Sequence, residues 1–159
     1  MSTKPLNTAV NKKPASRSPR HRARELAMQG IYQWRITAAD DEKIEKQIQS
    51  EKNIGRFDKE LFSKILRGAL SQHAEMEALI LPHLDRPMEE LSPVEFAVLL
   101  LGAFELSQHL EVPYKVVINE AVELAKTFGG ADGHKFVNGV LDKLAPQLRA
   151  VEFAAQGNN

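Results

Sequence analysis

Two groups of polar residues in this sequence could do chemistry that packing does not require. Arg20, Arg22 and Arg24 cluster at the start of a segment whose apolar residues recur at helical spacing. Cations there oppose the helix dipole, an unfavourable arrangement that a bound phosphate reverses. Further on, Asp132, Gly133, His134, Lys135 and Phe136 lie between two apolar helical stripes. A lysine for phosphate beside an aromatic ring for a base is the equipment of a single-stranded RNA surface, and Tyr32 on the first helix offers a second ring. The basic start and the loop form one surface if the two helices that carry them pack together. Each ring also has a plainer reading, since an aromatic in the first turns of an amphipathic helix is as a rule part of the core.

Other chemistry is poorly supplied. With no cysteine, disulfides, thiolate catalysis and cysteine-held metals are excluded. His21, His73, His83, His109 and His134 are scattered, with no pair at the spacing that puts two ligands on one helical face. The stretch GGADGHK lacks the Gly-Lys-Ser/Thr ending of a phosphate loop and follows a helix instead of a strand. Asp132 fits a helix N-cap better than a catalytic acid, and Glu89-Glu90 belong on a solvated face. The sequence therefore reads as a binding protein without catalytic residues, metal or cofactor.

At 159 residues the chain is most simply one domain, large enough to bury roughly two-thirds of its unfolded surface. Seven cations and no acid precede Glu25, a charge of +7; the rest must carry −7 to reach the net charge of zero. A basic arm leads an acidic body. Neither an apolar run of membrane-spanning length nor a secretion signal is present in the sequence, so a soluble, cytoplasmic protein is expected.

Helical punctuation is frequent. Residues 1–17, polar and proline-bearing, are expected to be disordered, so residues 1–19 read as a basic extension, 20–148 as the folded domain and 149–159 as a flexible tail. Ser18-Pro19 is an N-cap followed by a first-turn proline, and Ala23, Leu26, Ala27, Gly30, Ile31 and Trp34 share a face of the helix that follows. A second helix surrounds Ile44 and Ile48, and EKNIGRF is a loop. Asp58 caps a third helix, stapled by Phe57 and Phe62 and running through Ile80 to Pro82. Ser92-Pro93-Val94-Glu95 is a capping box, and FAVLLLGAFEL after it is apolar nearly all round, as a central buried helix is. Prolines 19, 82, 87, 93, 113 and 146 are expected at helix boundaries. Gly139, inside the last helix at a cost of about 1 kcal/mol relative to alanine, implies close approach by another backbone. No segment alternates with period two, so the fold class is all-α.

RHRARELAMQGIYQW, LSPVEFAVLLLGAFEL and VPYKVVINEAVELAKTFGGADGHKFVNGVLDKLAP, together spanning about residues 20–148, closely resemble the signature blocks of the NusB family of bacterial transcription antitermination factors. The resemblance implies two small packed bundles of about seven helices. It implies binding of boxA-type single-stranded RNA together with NusE, the small-subunit ribosomal protein, in an antitermination complex on RNA polymerase. It also assigns roles: Arg20, Arg22 and Arg24, with His21 where a further arginine can occur, Tyr32, and Asp132, Lys135 and Phe136 for RNA; Glu89, Glu90 and Glu95 for NusE. Two other readings stay open, a targeting domain of the kind fused to RNA cytosine methyltransferases and a protein-only adaptor whose basic arm merely solubilises.

Overall fold

The computed structural model describes residues 18–157, so the disorder expected of residues 1–17 lies outside the described residues; all regular structure within residues 18–157 is helical. Helix α1 (Pro19–Thr37) starts where Ser18 Oγ accepts the His21 N–H at 3.0 Å, and it stops at Ala38, a left-handed residue with φ 55°. Helix α2 (Asp41–Gln49) buries Ile44 and Ile48. The loop after it leads to α3 (Lys59–Ser71), where Asp58 Oδ1 accepts the Leu61 N–H at 3.0 Å and the Phe57 and Phe62 rings meet edge to face.

The single helix expected from Asp58 to Pro82 is two. Gln72, at φ −109° and ψ 20°, separates α3 from α4 (His73–Ile80). The break turns Met76 and Ile80 into the core, and α4 packs on the central helix. Gly68 sits one turn before it, so close to the Phe104 ring that any Cβ there would overlap the aromatic carbons. Two short 3-10 turns, Leu81–His83 and Met88–Glu90, follow.

Helix α5 (Pro93–Gln108) begins in the expected capping box, with the Glu95 N–H donating to Ser92 Oγ and the Ser92 N–H to Glu95 Oε1, both at 3.1 Å. Residues 96–106 are buried without exception. At roughly 1.5–3 kcal/mol for each large apolar side chain, this helix contributes most of the hydrophobic stabilisation per residue. Its place explains why: α1 and α3 pack on it from one side, α6 (Tyr114–Phe128) and α7 (Gly133–Leu148) from the other. Helices α1 and α3 form one closely packed pair and α6 and α7 another, giving two helical groups around one shared core.

Three expectations fail at the C-terminal end. Pro146 lies inside α7, in its last turns, where the carbonyl it leaves unbonded is near solvent. Gly139 is exposed and a Cβ would meet nothing within 4 Å, so no backbone approaches it. Residues 150–157 are not a tail but a further helix, α8 (Ala150–Gly157). Arg149 anchors it. Its guanidinium is buried and donates to the carbonyls of Leu106, Val112, Glu105 and His109 and to the Glu152 carboxylate, at 2.6–3.2 Å. It thereby satisfies the Leu106 carbonyl, which the end of α5 leaves without a helical partner, and adds a second donor to the Glu105 and His109 carbonyls, which already accept the His109 and Val112 N–H groups. Glu152 also accepts the Tyr114 N–H, and the Tyr114 and Phe153 rings lie 4.3 Å apart. No helix among the described residues is long and apolar enough to cross a membrane.

Candidate nucleic-acid interface

The basic run occupies the first turn of α1, and its members divide. Arg20 is 64% exposed and comes no nearer than 4.0 Å to Asp58. Arg22 is half-buried, its Nε donating to the Ile54 carbonyl at 3.1 Å and its Nη1 to Glu25 at 3.0 Å. The other two turn inward. Arg24, 4% exposed, grips Glu105 of α5 through both carboxylate oxygens, at 2.7 and 3.1 Å. His21 Nδ1 lies 2.7 Å from Glu120 Oε1 of α6, and its Nε2 lies 3.4 Å from Glu25 Oε2, an ion contact without hydrogen-bond geometry.

These buried charges stabilise one another. The Glu120 bond, then the Glu25 contact, outweigh burial and raise the His21 pKa to about 9, so the ring is an imidazolium at neutral pH. Burial favours the neutral acid at Glu105, but its bonds to His109 and Arg24 prevail and its pKa falls. Burial likewise opposes ionisation of Glu120, and the His21 bond again prevails. His21 and Arg24 were expected among the RNA contacts. The structure places both inside the fold, each matched by a buried carboxylate.

Expected proximity fails in a second place. Helices α1 and α7 do not form a closely packed pair, so direct helix packing does not bring the basic turn to Phe136. The cation beside Phe136 is Arg86, which the sequence reading passed over: its guanidinium carbon stands over the ring, 4.2 Å from the centroid. Arg86 Nε also donates to Asp85 Oδ1 at 2.8 Å. Phe136 is half-buried, with its body packed on the core. Lys135 is exposed and its Nζ is 3.8 Å from Asp132 Oδ1. Asp132 holds the N-cap position of α7 as expected, but its side chain accepts no capping hydrogen bond.

The segment 85–95 links this corner to the far half of α1. Arg35 lies over the Phe96 ring at 4.1 Å and reaches toward the Met88 carbonyl at 3.5 Å. Half-buried Tyr32 is one turn back on the same helix. It is twelve residues, about 18 Å of helix, from Arg20. Glu89 and Glu90 are exposed on the segment itself, whereas Glu95 is engaged in the capping box, and a side chain at position 133 would come within 3.7 Å of its free oxygen. Glu95 and the Asp132–Phe136 loop are therefore neighbours, with Glu89 and Glu90 a few residues away along the segment.

Comparison with known proteins agrees with this architecture. The NusB family model matches residues 21–146. A protein of Burkholderia lata named transcription antitermination protein NusB is 54% identical over 142 residues, covering 89% of this chain and 98% of that one. Its namesake in Ralstonia pickettii is 51% identical over 150 residues, covering 94% and 97%. Among solved structures, T. maritima NusB superposes with a TM-score of 0.74 at 29% identity, covering 87% of this chain and 99% of that one. The antitermination factors NusB and NusE in complex with double-stranded RNA give a TM-score of 0.72 at 29% identity, over 80% of this chain and 96% of that one. The family match runs from the first turn of α1 to the last turns of α7, and the chain belongs to the NusB family.

Proposed function

We propose that this protein is a transcription antitermination factor that binds boxA-type RNA of nascent ribosomal transcripts as a heterodimer with NusE and helps assemble an antitermination complex on RNA polymerase. It acts in the cytoplasm by binding alone, without catalysis or a cofactor. The observation that carries this reading is the solved complex of NusB with NusE and RNA, on which this fold superposes across most of its length.

The geometry supports a division of labour. Arg20 and Arg22 offer charge to phosphates at one end of α1; Tyr32, Asp132, Lys135 and Phe136 line the other part of the RNA path. Glu89, Glu90 and Glu95 form the acidic corner that meets the basic ribosomal partner, where complementary charge chiefly sets encounter rate and specificity. Because this corner adjoins the Asp132–Phe136 loop, NusE bound there would extend the RNA surface.

A mobility shift on boxA-type RNA, with and without NusE, tests the reading. Tighter binding in the presence of NusE is expected; no RNA binding under either condition overturns it. Glu89 and Glu90 have no capping duty, so Glu89→Lys with Glu90→Lys is expected to weaken NusE binding by calorimetry while the melting temperature stays near the parent's. Unchanged affinity removes this corner from the interface.

A further inference from the structure

The half-buried Phe136 ring packs against the core and has the Arg86 guanidinium over one face. A base cannot lie on that face while the guanidinium is there. Arg86 itself is only partly covered, with 35% of its side chain exposed. Its charge is already met: Asp85 is 2.8 Å away, and the Glu95 and Glu90 carboxylates act on it too. What it has left to offer a ligand is a flat, weakly hydrated face, held over an aromatic ring and anchored at Nε.

We propose that the stacking platform at this corner is the guanidinium of Arg86, with an unpaired RNA base on its outer face and Phe136 beneath as the positioning residue. The proposal rests on the RNA-binding reading above and changes its assignment of Phe136. Guanidinium planes accept bases as aromatic rings do. The ring already supports one face of the guanidinium, and the 35% of the side chain that is exposed is where a base would approach. The Asp85 bond helps hold the guanidinium in place, and its fork geometry is one a lysine cannot reproduce.

Arg86→Lys is the decisive variant, since it keeps the charge and removes the plane. The probe is a fluorescent single-stranded boxA-type RNA, titrated with the NusE-bound protein across salt concentrations, alongside a duplex of the same sequence and thermal melts of each variant. Arg86→Lys is expected to weaken single-strand binding about five- to hundredfold, the range of one lost base stack. Its salt slope should match the parent's, its melting temperature should be nearly unchanged, and duplex binding should be unaffected. Phe136→Leu, which removes only the support, is expected to weaken binding about two- to fivefold. Parent-like single-strand binding by Arg86→Lys overturns the proposal, as does an equal loss on the duplex, which would mean a phosphate contact. A Phe136→Leu loss larger than that of Arg86→Lys would return the stack to the ring. Failure of the parent to bind RNA is a different result, and overturns the RNA reading and this proposal together.

Discussion

Arg24 and Arg86 are both arginines near expected RNA contacts, and the fold uses them in opposite ways. Arg24 points inward to a fully buried carboxylate near the end of the central helix; Arg86 lies at the surface on a half-buried ring, with its ion pair made to its exposed neighbour Asp85. Breaking a buried pair by removing one partner costs about 3–5 kcal/mol, because the other charge is stranded in the core. An exposed pair such as Arg86 with Asp85 is worth about 0–1 kcal/mol. A buried cation therefore belongs to the stability of the fold, whereas a surface cation is free to serve a ligand at little cost to folding. The same contrast recurs on α1, where Arg20 and Arg24 are one turn apart but only Arg20 faces water.

The contrast breaks most visibly under mutation of the inward set. Arg24→Ala should lose about 3–5 kcal/mol in denaturant unfolding, since Glu105 then has lost its bidentate partner; a loss below about 1 kcal/mol would contradict the buried-pair assignment. The next effect is pH-dependent. His21 has a folded pKa raised from 6.5 to about 9, so its contribution is complete below pH 6.5 and is lost as pH rises through 9. By linkage this is roughly 3 kcal/mol, read as a melting temperature that falls from pH 6 to pH 9 in the parent and falls much less in His21→Gln. Equal slopes in the two proteins would mean that His21 is not the titrating group. Smaller again is Ser92→Ala, expected to cost about 1 kcal/mol through the capping box. Arg20→Ala sits at the other extreme, with stability within about 0.5 kcal/mol of the parent, and a larger loss would show that Arg20 is structural.

Local signals in the sequence survive in the fold because they need only neighbours along the chain. Ser18, Asp58 and the Ser92–Glu95 box cap their helices as expected, and the apolar run after Ser92 is the buried centre. The break at Gln72 was hidden because the apolar spacing continues across it while the direction of the chain changes. The C-terminal helix was missed because its anchor, Arg149, reads as an ordinary surface cation until the carbonyls at the end of α5 are brought around it.

The site was less legible than the fold. Charge type is visible in a sequence, but the partner that claims a charge is a matter of tertiary structure. One signal was available: Glu105 is a lone acid inside FAVLLLGAFEL, and a carboxylate at a fully buried position requires a cation. Arg24 meets that need and His21 bridges Glu25 and Glu120, which leaves exposed Arg20 and half-buried Arg22 as the outward members of the run. Arg86 had no local signal, since 50 residues separate it from the ring it covers.

The division of the basic run is tested most directly by the salt dependence of RNA binding in the NusE-bound protein. Arg20→Ala with Arg22→Ala should flatten the slope by about 1.4, at about 0.7 for each phosphate contact on a single strand. Arg24→Met combined with Glu105→Leu replaces the buried pair by apolar side chains and so need not strand a charge; it should keep the parent's slope. If that variant, folded, flattens the slope as much as the loss of Arg20 and Arg22 does, then Arg24 reaches the RNA and the inward and outward roles assigned here are wrong.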